Sequence, residues 1–185
     1  RSAILATADA ALVLQRGNAF GLALPVKELP PMGFVGYCTV PGMISRALPR
    51  AWLLSGDQRY LAGTIASCLF GAGANPDNLA FTTGVGEEAV RYALHIDSLR
   101  LGRPAPPGIT VYGHSDPAEE YGFMGWVYQW FVGAQSVPDG RRWPMYESYF
   151  DIYVSPATNE YTIQQTIVPT AYTWGVLGAR PAAPR

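Results

Sequence analysis

The chain has 185 residues, of which 49% are hydrophobic and 15% charged, and its formal net charge is −1. This length can bury the core of one domain, and the composition is that of a globular protein rather than a disordered one. The nearly neutral charge argues against a nucleic-acid partner. No apolar run is long enough to span a bilayer, so a membrane partner is not expected either.

Two helices are predicted early in the chain from apolar residues that recur at helical spacing. The first begins near Ile4 and ends near Arg16, which is followed by turn-forming residues. The second covers residues 44–52 and contains Pro49. Because proline lacks an amide N–H, we expect it to kink this helix.

A third helix is predicted after the tight turn at residues 55–57, where Asp57 can cap its N-terminus. It ends near Gly71, and its predicted inward stripe consists of Tyr60, Leu61, Thr64, Ile65, Cys68 and Leu69. Two antiparallel helices joined by a short turn form an αα-hairpin, the repeating unit of helical toroids.

The cysteines and histidines do not indicate a metal site, because they never occur at zinc-ligand spacing. Cys38 and Cys68 are the two cysteines and could form a disulfide. We expect buried thiols instead, since Cys68 falls on the apolar face of a predicted helix. His114 lies in a turn-like sequence and is interpreted as a turn residue.

Residues 71–158 are predicted to be mostly loop, with a short helix around residues 122–132. Loops of this length are typical of functional regions. Thr158 is then a candidate N-cap for an apolar-striped helix over residues 161–177, which would place Glu160 in its first turn. A carboxylate is favoured there by the positive end of the helix dipole.

Short sequence blocks follow one another along this region. They are Gly73-Ala74-Asn75-Pro76-Asp77-Asn78, Phe81-Thr82-Thr83-Gly84-Val85-Gly86, His95-Ile96-Asp97, Val111-Tyr112-Gly113 and Asn159-Glu160. In this order and at this spacing they resemble the C-terminal part of the family 9 glycoside hydrolases, which are inverting cellulases built on a six-hairpin toroid of helices. The resemblance runs from about residue 33 to residue 178. It implies an all-α fold, a partial (α/α)6 toroid with long cleft-forming loops, with residues 1–185 as a single C-terminal part of the catalytic domain.

The resemblance makes Glu160 the general acid and Asn159 a residue that helps to hold substrate and active-site geometry. Inversion also needs a carboxylate base about 6.5–9.5 Å away, which activates a water on the opposite face of the sugar. In the family this base belongs to an Asp-Ala-Gly-Asp motif, which does not occur in this sequence. We therefore expect the chain to be the C-terminal portion of a longer enzyme, incomplete as given. Burial of the Glu160 side chain among neighbouring aromatic residues would favour its protonated form.

The resemblance also implies that His95 contacts the sugar near the scissile bond. The family commonly has His-His-Arg at this position, whereas this chain has His95-Ile96-Asp97, so the arginine has no counterpart. We expect Asp97 to bind a sugar hydroxyl, with Arg91 or Arg100 as its ion-pair partner. The alternative for both His95 and Asp97 is a polar loop residue that bonds to nearby backbone.

Asp151 and Tyr153 precede the Asn-Glu pair, where family members often carry Asp and Tyr near the catalytic Glu. They are predicted to contact substrate or to support the acid.

The function expected from the resemblance is hydrolysis of a β-1,4-glucan of the cellulose type, with a β-linked polysaccharide or oligosaccharide as partner. Relatives acting on other β-linked sugars, including glucosaminidase-type enzymes, stay open at this point. No cofactor is expected; some relatives hold a structural calcium, which this sequence does not indicate. The resemblance implies a secreted or periplasmic protein, although no signal segment opens this chain. The alternatives are a carbohydrate-binding protein without catalysis and a helical scaffold.

Overall fold

The computed structural model describes residues 1–23, 44–114, 149–153 and 155–179. Over these ranges the protein is helical and contains no β-strand, although isolated β-bridges join Ala80 to Ala89 and Thr82 to Thr110. Within these ranges no helix combines the length and the apolar character needed to cross a bilayer. The described part of the chain is thus all-α, as predicted.

Helix α1 spans Ser2–Gln15 and ends where the sequence predicted. The second predicted helix is a 3₁₀ turn, Ile44–Arg46, followed by α2, Ala47–Ser55. Pro49 lies in the first turn of α2, where backbone amides have no partner within the helix. Pro49 therefore removes no hydrogen bond from α2. The change from 3₁₀ to α-helix lies before the proline, between Arg46 and Ala47.

Helix α3 spans Gln58–Gly71 and pairs with α2 as the predicted αα-hairpin. Gly56 makes the turn with φ +73°, and its amide donates to the Trp52 carbonyl over 2.7 Å. The Asp57 carboxylate caps α3 by accepting from the Arg59 amide over 2.9 Å, as predicted. The predicted stripe is wrong at Leu69, which is 53% exposed, because Phe70 takes the buried position.

Helices α1 and α3 approach closely at Gly63. A Cβ placed there would lie 2.6 Å from Leu12 Cδ2 and 2.7 Å from Gln15 Oε1. The buried Gln15 amide donates to the Gly63 carbonyl and to the Ser67 hydroxyl, each over 2.8 Å. The contact therefore combines tight packing with satisfied polar groups.

The loop region after α3 is ordered around an aromatic core. Phe81 is fully buried and packs against Phe70, His114 and Tyr149, with ring centroids 6.1, 5.1 and 4.9 Å away. The region also contains the short helix α4, Ile96–Arg100, which the sequence analysis did not predict. Five residues are too few to show a helical period.

The C-terminal part corrects a prediction. Helix α5 spans Pro156–Asn159, a π-helical turn spans Ile163–Ile167, and α6 spans Val168–Gly178. Thr162 is the N-cap of the turn, since its hydroxyl accepts from the Gln165 amide over 3.1 Å. Thr158 lies inside α5, so its predicted capping role is wrong.

Some predictions fall on residues that the structure does not describe. These are the helix at 122–132 and the state of Cys38. Cys68 itself is buried, as expected.

Candidate functional site

Residues 158–160 are held by backbone hydrogen bonds on two sides. The Leu94 amide donates to the Asn159 carbonyl over 2.8 Å. On the other side, the Tyr112 amide donates to the Glu160 carbonyl and the Gly113 amide to the Thr158 carbonyl, each over 2.9 Å. Glu160 is extended, with φ −70° and ψ 162°. Its backbone is therefore fixed although no helix surrounds it.

The Asn159 side chain is fully buried and bonded within the protein. Its amide nitrogen donates to the Tyr92 carbonyl over 3.1 Å and to Asp151 Oδ1 over 3.0 Å. Its oxygen accepts from the Thr158 hydroxyl over 2.6 Å. Both N–H groups of the amide are occupied, so this geometry supports a positioning role for Asn159 rather than contact with a ligand.

Asp151 is a half-buried carboxylate with several donors around it. Its Oδ2 accepts from the Arg91 amide over 2.8 Å, and its Oδ1 accepts from the Tyr92 amide over 3.1 Å and from Asn159. The Tyr149 hydroxyl lies 3.4 Å from the same oxygen. Burial, with the charge on Asp151, raises the pKa of Tyr149 well above its usual value. Asp151 thus ties residues 91–92 to the Asn159-Glu160 pair and keeps both rigid.

The Glu160 side chain is exposed, in contrast to the expected burial among aromatic residues. It lies near enough to Tyr112 to act on it electrostatically. Burial raises the pKa of the Tyr112 phenol, and the charge on Glu160 contributes to this rise. The Tyr112 hydroxyl donates to Gln165 Oε1 over 2.6 Å. The site therefore presents a carboxylate to solvent from a fixed backbone.

His95 is the N-cap of α4. Its Nδ1 accepts from the Ser98 amide over 3.2 Å and is 2.8 Å from the Ser98 hydroxyl. An Nδ1 that accepts from an amide leaves the proton of the neutral ring on Nε2, and Nε2 has no hydrogen-bond partner among the described residues. The ring lies nearly parallel to Tyr161, with 16° between the planes and 6.5 Å between centroids. His95 therefore offers a donor from a fixed ring.

Asp97 lies exposed in the first turn of α4. Burial raises the pKa of Tyr161, and the charge on Asp97 adds to this effect, which places Asp97 in the same neighbourhood as His95. The expected ion pair is not formed within the described ranges: Arg91 instead pairs with Glu88 over 3.6 Å.

Tyr153 is placed apart from these groups. The residue is 43% exposed, and its ring contacts that of Tyr92, with centroids 6.1 Å apart. Both rings border a cavity of about 770 Å³ that Glu160 does not line. The predicted residues thus divide into a supporting network of Asp151 and Asn159, the exposed carboxylates of Glu160 and Asp97 with the half-buried His95, and Tyr153 at a neighbouring cavity.

The sequence analysis interpreted His114 as a turn residue and did not predict its burial. Its side chain is fully buried, and its Nε2 lies 2.5 Å from Asp77 Oδ2. His114 follows directly on Gly113, which bonds to Thr158. The apolar residues just before it, Ile109 and Val111, were the available signal that this segment is buried.

The described residues contain no group of three or more His, Cys, Asp or Glu side chains that could hold a metal ion.

Comparisons by sequence give no match, either to a protein-family model or to a curated protein. Comparisons by structure do. The family 9 endoglucanase J30 is similar with a TM-score of 0.66 at 18% identity, over 95% of this chain and 29% of that chain. A metagenome-derived glycoside hydrolase family 9 endoglucanase gives 0.63 at 18% identity, over 95% and 27%. AaCel9A, solved in complex with a cellobiose-like isofagomine, gives 0.63 at 21% identity, over 96% and 30%.

This chain has the fold of part of a family 9 endoglucanase. It spans 27–30% of the length of the solved structures named here. The resemblance to family 9 drawn from the sequence blocks is thus confirmed at the level of the fold.

Proposed function

We propose that this chain is the acid-bearing, C-terminal part of an inverting glycoside hydrolase that cleaves β-1,4-glucan of the cellulose type. The observation that best supports the proposal is that Glu160 has a fixed backbone and an exposed side chain. Backbone bonds from Leu94, Tyr112 and Gly113 fix residues 158–160 on both sides, while the carboxyl group itself stays exposed. Catalysis depends on such fixed placement of the reacting group.

In this reaction Glu160 gives its proton to the glycosidic oxygen as the bond from that oxygen to the anomeric carbon breaks. A water attacks the anomeric carbon from the opposite face and loses its proton to a carboxylate base. Because the sequence has no Asp-Ala-Gly-Asp motif, we assign the base to a part of the enzyme outside these 185 residues. The α2–α3 hairpin is then one unit of a six-hairpin toroid.

The neighbouring residues have separate roles in this proposal. His95 donates from Nε2 to a sugar hydroxyl near the scissile bond, and Asp97 accepts from another. Asp151 and Asn159 hold the backbone that carries Glu160. Two carboxylates suffice for the chemistry, so the proposal includes no cofactor. A polymeric glucan does not enter the cytoplasm, so the proposal includes a secreted or periplasmic location.

The test compares Glu160→Gln with Glu88→Gln in the protein that contains this chain, since Glu88 is exposed and pairs with Arg91 alone among the described residues. Glu160→Gln should lower kcat on cello-oligosaccharides by about a hundredfold or more with little change in KM. On dinitrophenyl cellobioside, whose leaving group needs no proton, the kcat of this variant should fall far less. Glu88→Gln should match the wild type on both substrates. If Glu160→Gln lowered kcat equally on the two substrates, Glu160 would not be the general acid.

A carbohydrate-binding protein without catalysis is the second candidate, and the absent base motif favours it. It predicts that the protein containing this chain binds cello-oligosaccharides without hydrolysing them.

A further inference from the structure

The cavity of about 770 Å³ beside the Asn159-Glu160 segment has a size typical of small-molecule sites. Its lining includes Val90 and Ala93, which are buried and apolar. Ser98, whose hydroxyl is bonded to His95 Nδ1, forms part of the wall. The cavity is therefore a neighbour of the His95 group, while Glu160 stays outside it.

Two tyrosines at this cavity are exposed to solvent. Tyr92 is 49% and Tyr153 is 43% exposed, and their planes are inclined by 59°. Tyr92 donates its amide to Asp151 and accepts from Asn159 at its carbonyl, and Tyr153 follows Asp151 by two positions. The Tyr92 ring is thus carried on backbone that is already fixed, which lowers the entropy lost when a ligand binds.

The polar groups of the cavity suit a neutral, hydroxyl-rich ligand. The Arg103 guanidinium has no hydrogen-bond or ion-pair partner among the described residues, and its fork of N–H donors can bind adjacent hydroxyl oxygens. Arg91 is balanced by Glu88, and Glu87 adds a further negative charge at the lining. The charges of these four residues, Arg91, Arg103, Glu87 and Glu88, cancel, so the cavity does not favour an anionic ligand.

We propose that this cavity is an additional sugar-binding site, in which a β-linked pyranose stacks on Tyr92 or Tyr153 and its hydroxyls bind Arg103. Pyranose rings of β-linked glucose have apolar C–H faces and equatorial hydroxyls at the rim, which match an aromatic face with donors beside it. The choice of glucan as the sugar rests on the proposed function. The site itself needs no contribution from Glu160.

The test is a calorimetric titration with cellohexaose of the protein that contains this chain, carrying Glu160→Gln so that the ligand is not hydrolysed during the titration. Tyr92→Ala and Tyr153→Ala should each weaken binding about tenfold or more, as expected for an aromatic anchor. Tyr92→Phe and Tyr153→Phe should keep most of the affinity because they keep the ring. The matched control is Tyr172→Ala on α6, since Tyr172 is 39% exposed and lies outside the cavity.

Unchanged affinity in Tyr172→Ala, with loss in the two cavity variants, supports the site. The proposal is overturned if the Glu160→Gln protein does not bind cellohexaose, or if Tyr92→Ala and Tyr153→Ala in that background bind as it does. Circular dichroism of each variant checks the fold, which these exposed side chains should not affect. Because the titration measures no hydrolysis, its outcome is independent of the kinetic test of Glu160.

Discussion

The side-chain amide of Asn159 donates to Asp151 Oδ1 over 3.0 Å, so the residue before the proposed acid is bonded to a carboxylate eight positions earlier. The same Asp151 oxygen accepts from the Tyr92 amide. Segments that are distant in sequence are thus joined at one carboxylate. The position of Glu160 depends on this junction as well as on its own backbone bonds.

Asp151→Asn should loosen this junction. The variant replaces one acceptor oxygen by an NH₂ group. This group then faces another donor, either a backbone N–H or the amide nitrogen of Asn159, so these donors are left without an acceptor. We expect a loss of about 1–3 kcal/mol in the free energy of unfolding, as for a buried donor left unpaired, measured by urea denaturation. In the protein containing this chain, kcat should fall as well. Asp97→Asn, at an exposed carboxylate, should leave stability within about 0.5 kcal/mol of the wild type; a similar loss in both variants would contradict the junction.

Stereochemistry checks the proposed reaction. An inverting enzyme releases the α-anomer from a β-glucan, because water attacks from the face opposite the leaving group. Proton NMR spectra taken in the first minutes of cellohexaose hydrolysis should therefore show the α-anomeric signal rise before mutarotation mixes the two forms. Initial release of the β-anomer would show retention and rule out the proposed mechanism.

Gly63→Ala should destabilise the contact between α1 and α3. The added methyl group would lie 2.6 Å from Leu12 Cδ2 and 2.7 Å from Gln15 Oε1, so both side chains must move. We expect a loss of about 1–3 kcal/mol in unfolding free energy, the usual range for overpacking. Gly175→Ala on α6 is the control, because a Cβ there meets no atom within 4 Å. It should stabilise the helix by about 0.5–1 kcal/mol, and equal effects of the two changes in thermal unfolding would contradict the packing argument.

Stability should depend on pH through the cap of α3. The Arg59 side chain, followed by the Arg59 amide, lowers the pKa of Asp57. A carboxyl group with a lowered pKa stabilises the folded state above the ordinary carboxyl range, and this contribution is lost as the pH falls through the folded-state value. Asp57→Ser keeps a neutral cap and removes the charge. Its melting temperature should therefore fall less than that of the wild type below about pH 5. Parallel profiles for the two proteins would show that Asp57 adds nothing to acid sensitivity.

Local patterns were sufficient for the first part of the fold. The apolar period of α1, the turn at Gly56 and the cap at Asp57 are all found where the sequence predicts them. Each depends on contacts within a few residues, which a sequence displays directly. The same is not true of Leu69 and Phe70, since the facing residues decide which of two adjacent apolar side chains is buried.

The start of the last helical segment shows the limit most clearly. The sequence analysis predicted Thr158 as the N-cap, whereas the N-cap in the structure is Thr162, a residue of the same type four positions later. The structure decides for Thr162, because bonds from Leu94, Tyr112 and Gly113 hold residues 158–160 and a helix cannot begin there. This choice depends on residues more than forty positions away.

The sequence by itself determined the helical class of the described part, its first hairpin and the likeness to family 9 glycoside hydrolases, because these follow from local periodicity and from the order of short motifs. Only the tertiary structure decided that Glu160 is exposed, that Asn159 and Asp151 face each other, that His114 is buried against Asp77 and that Tyr92 meets Tyr153 at a cavity. Burial and hydrogen-bond partners are set by segments that come together only on folding, and no local pattern records them.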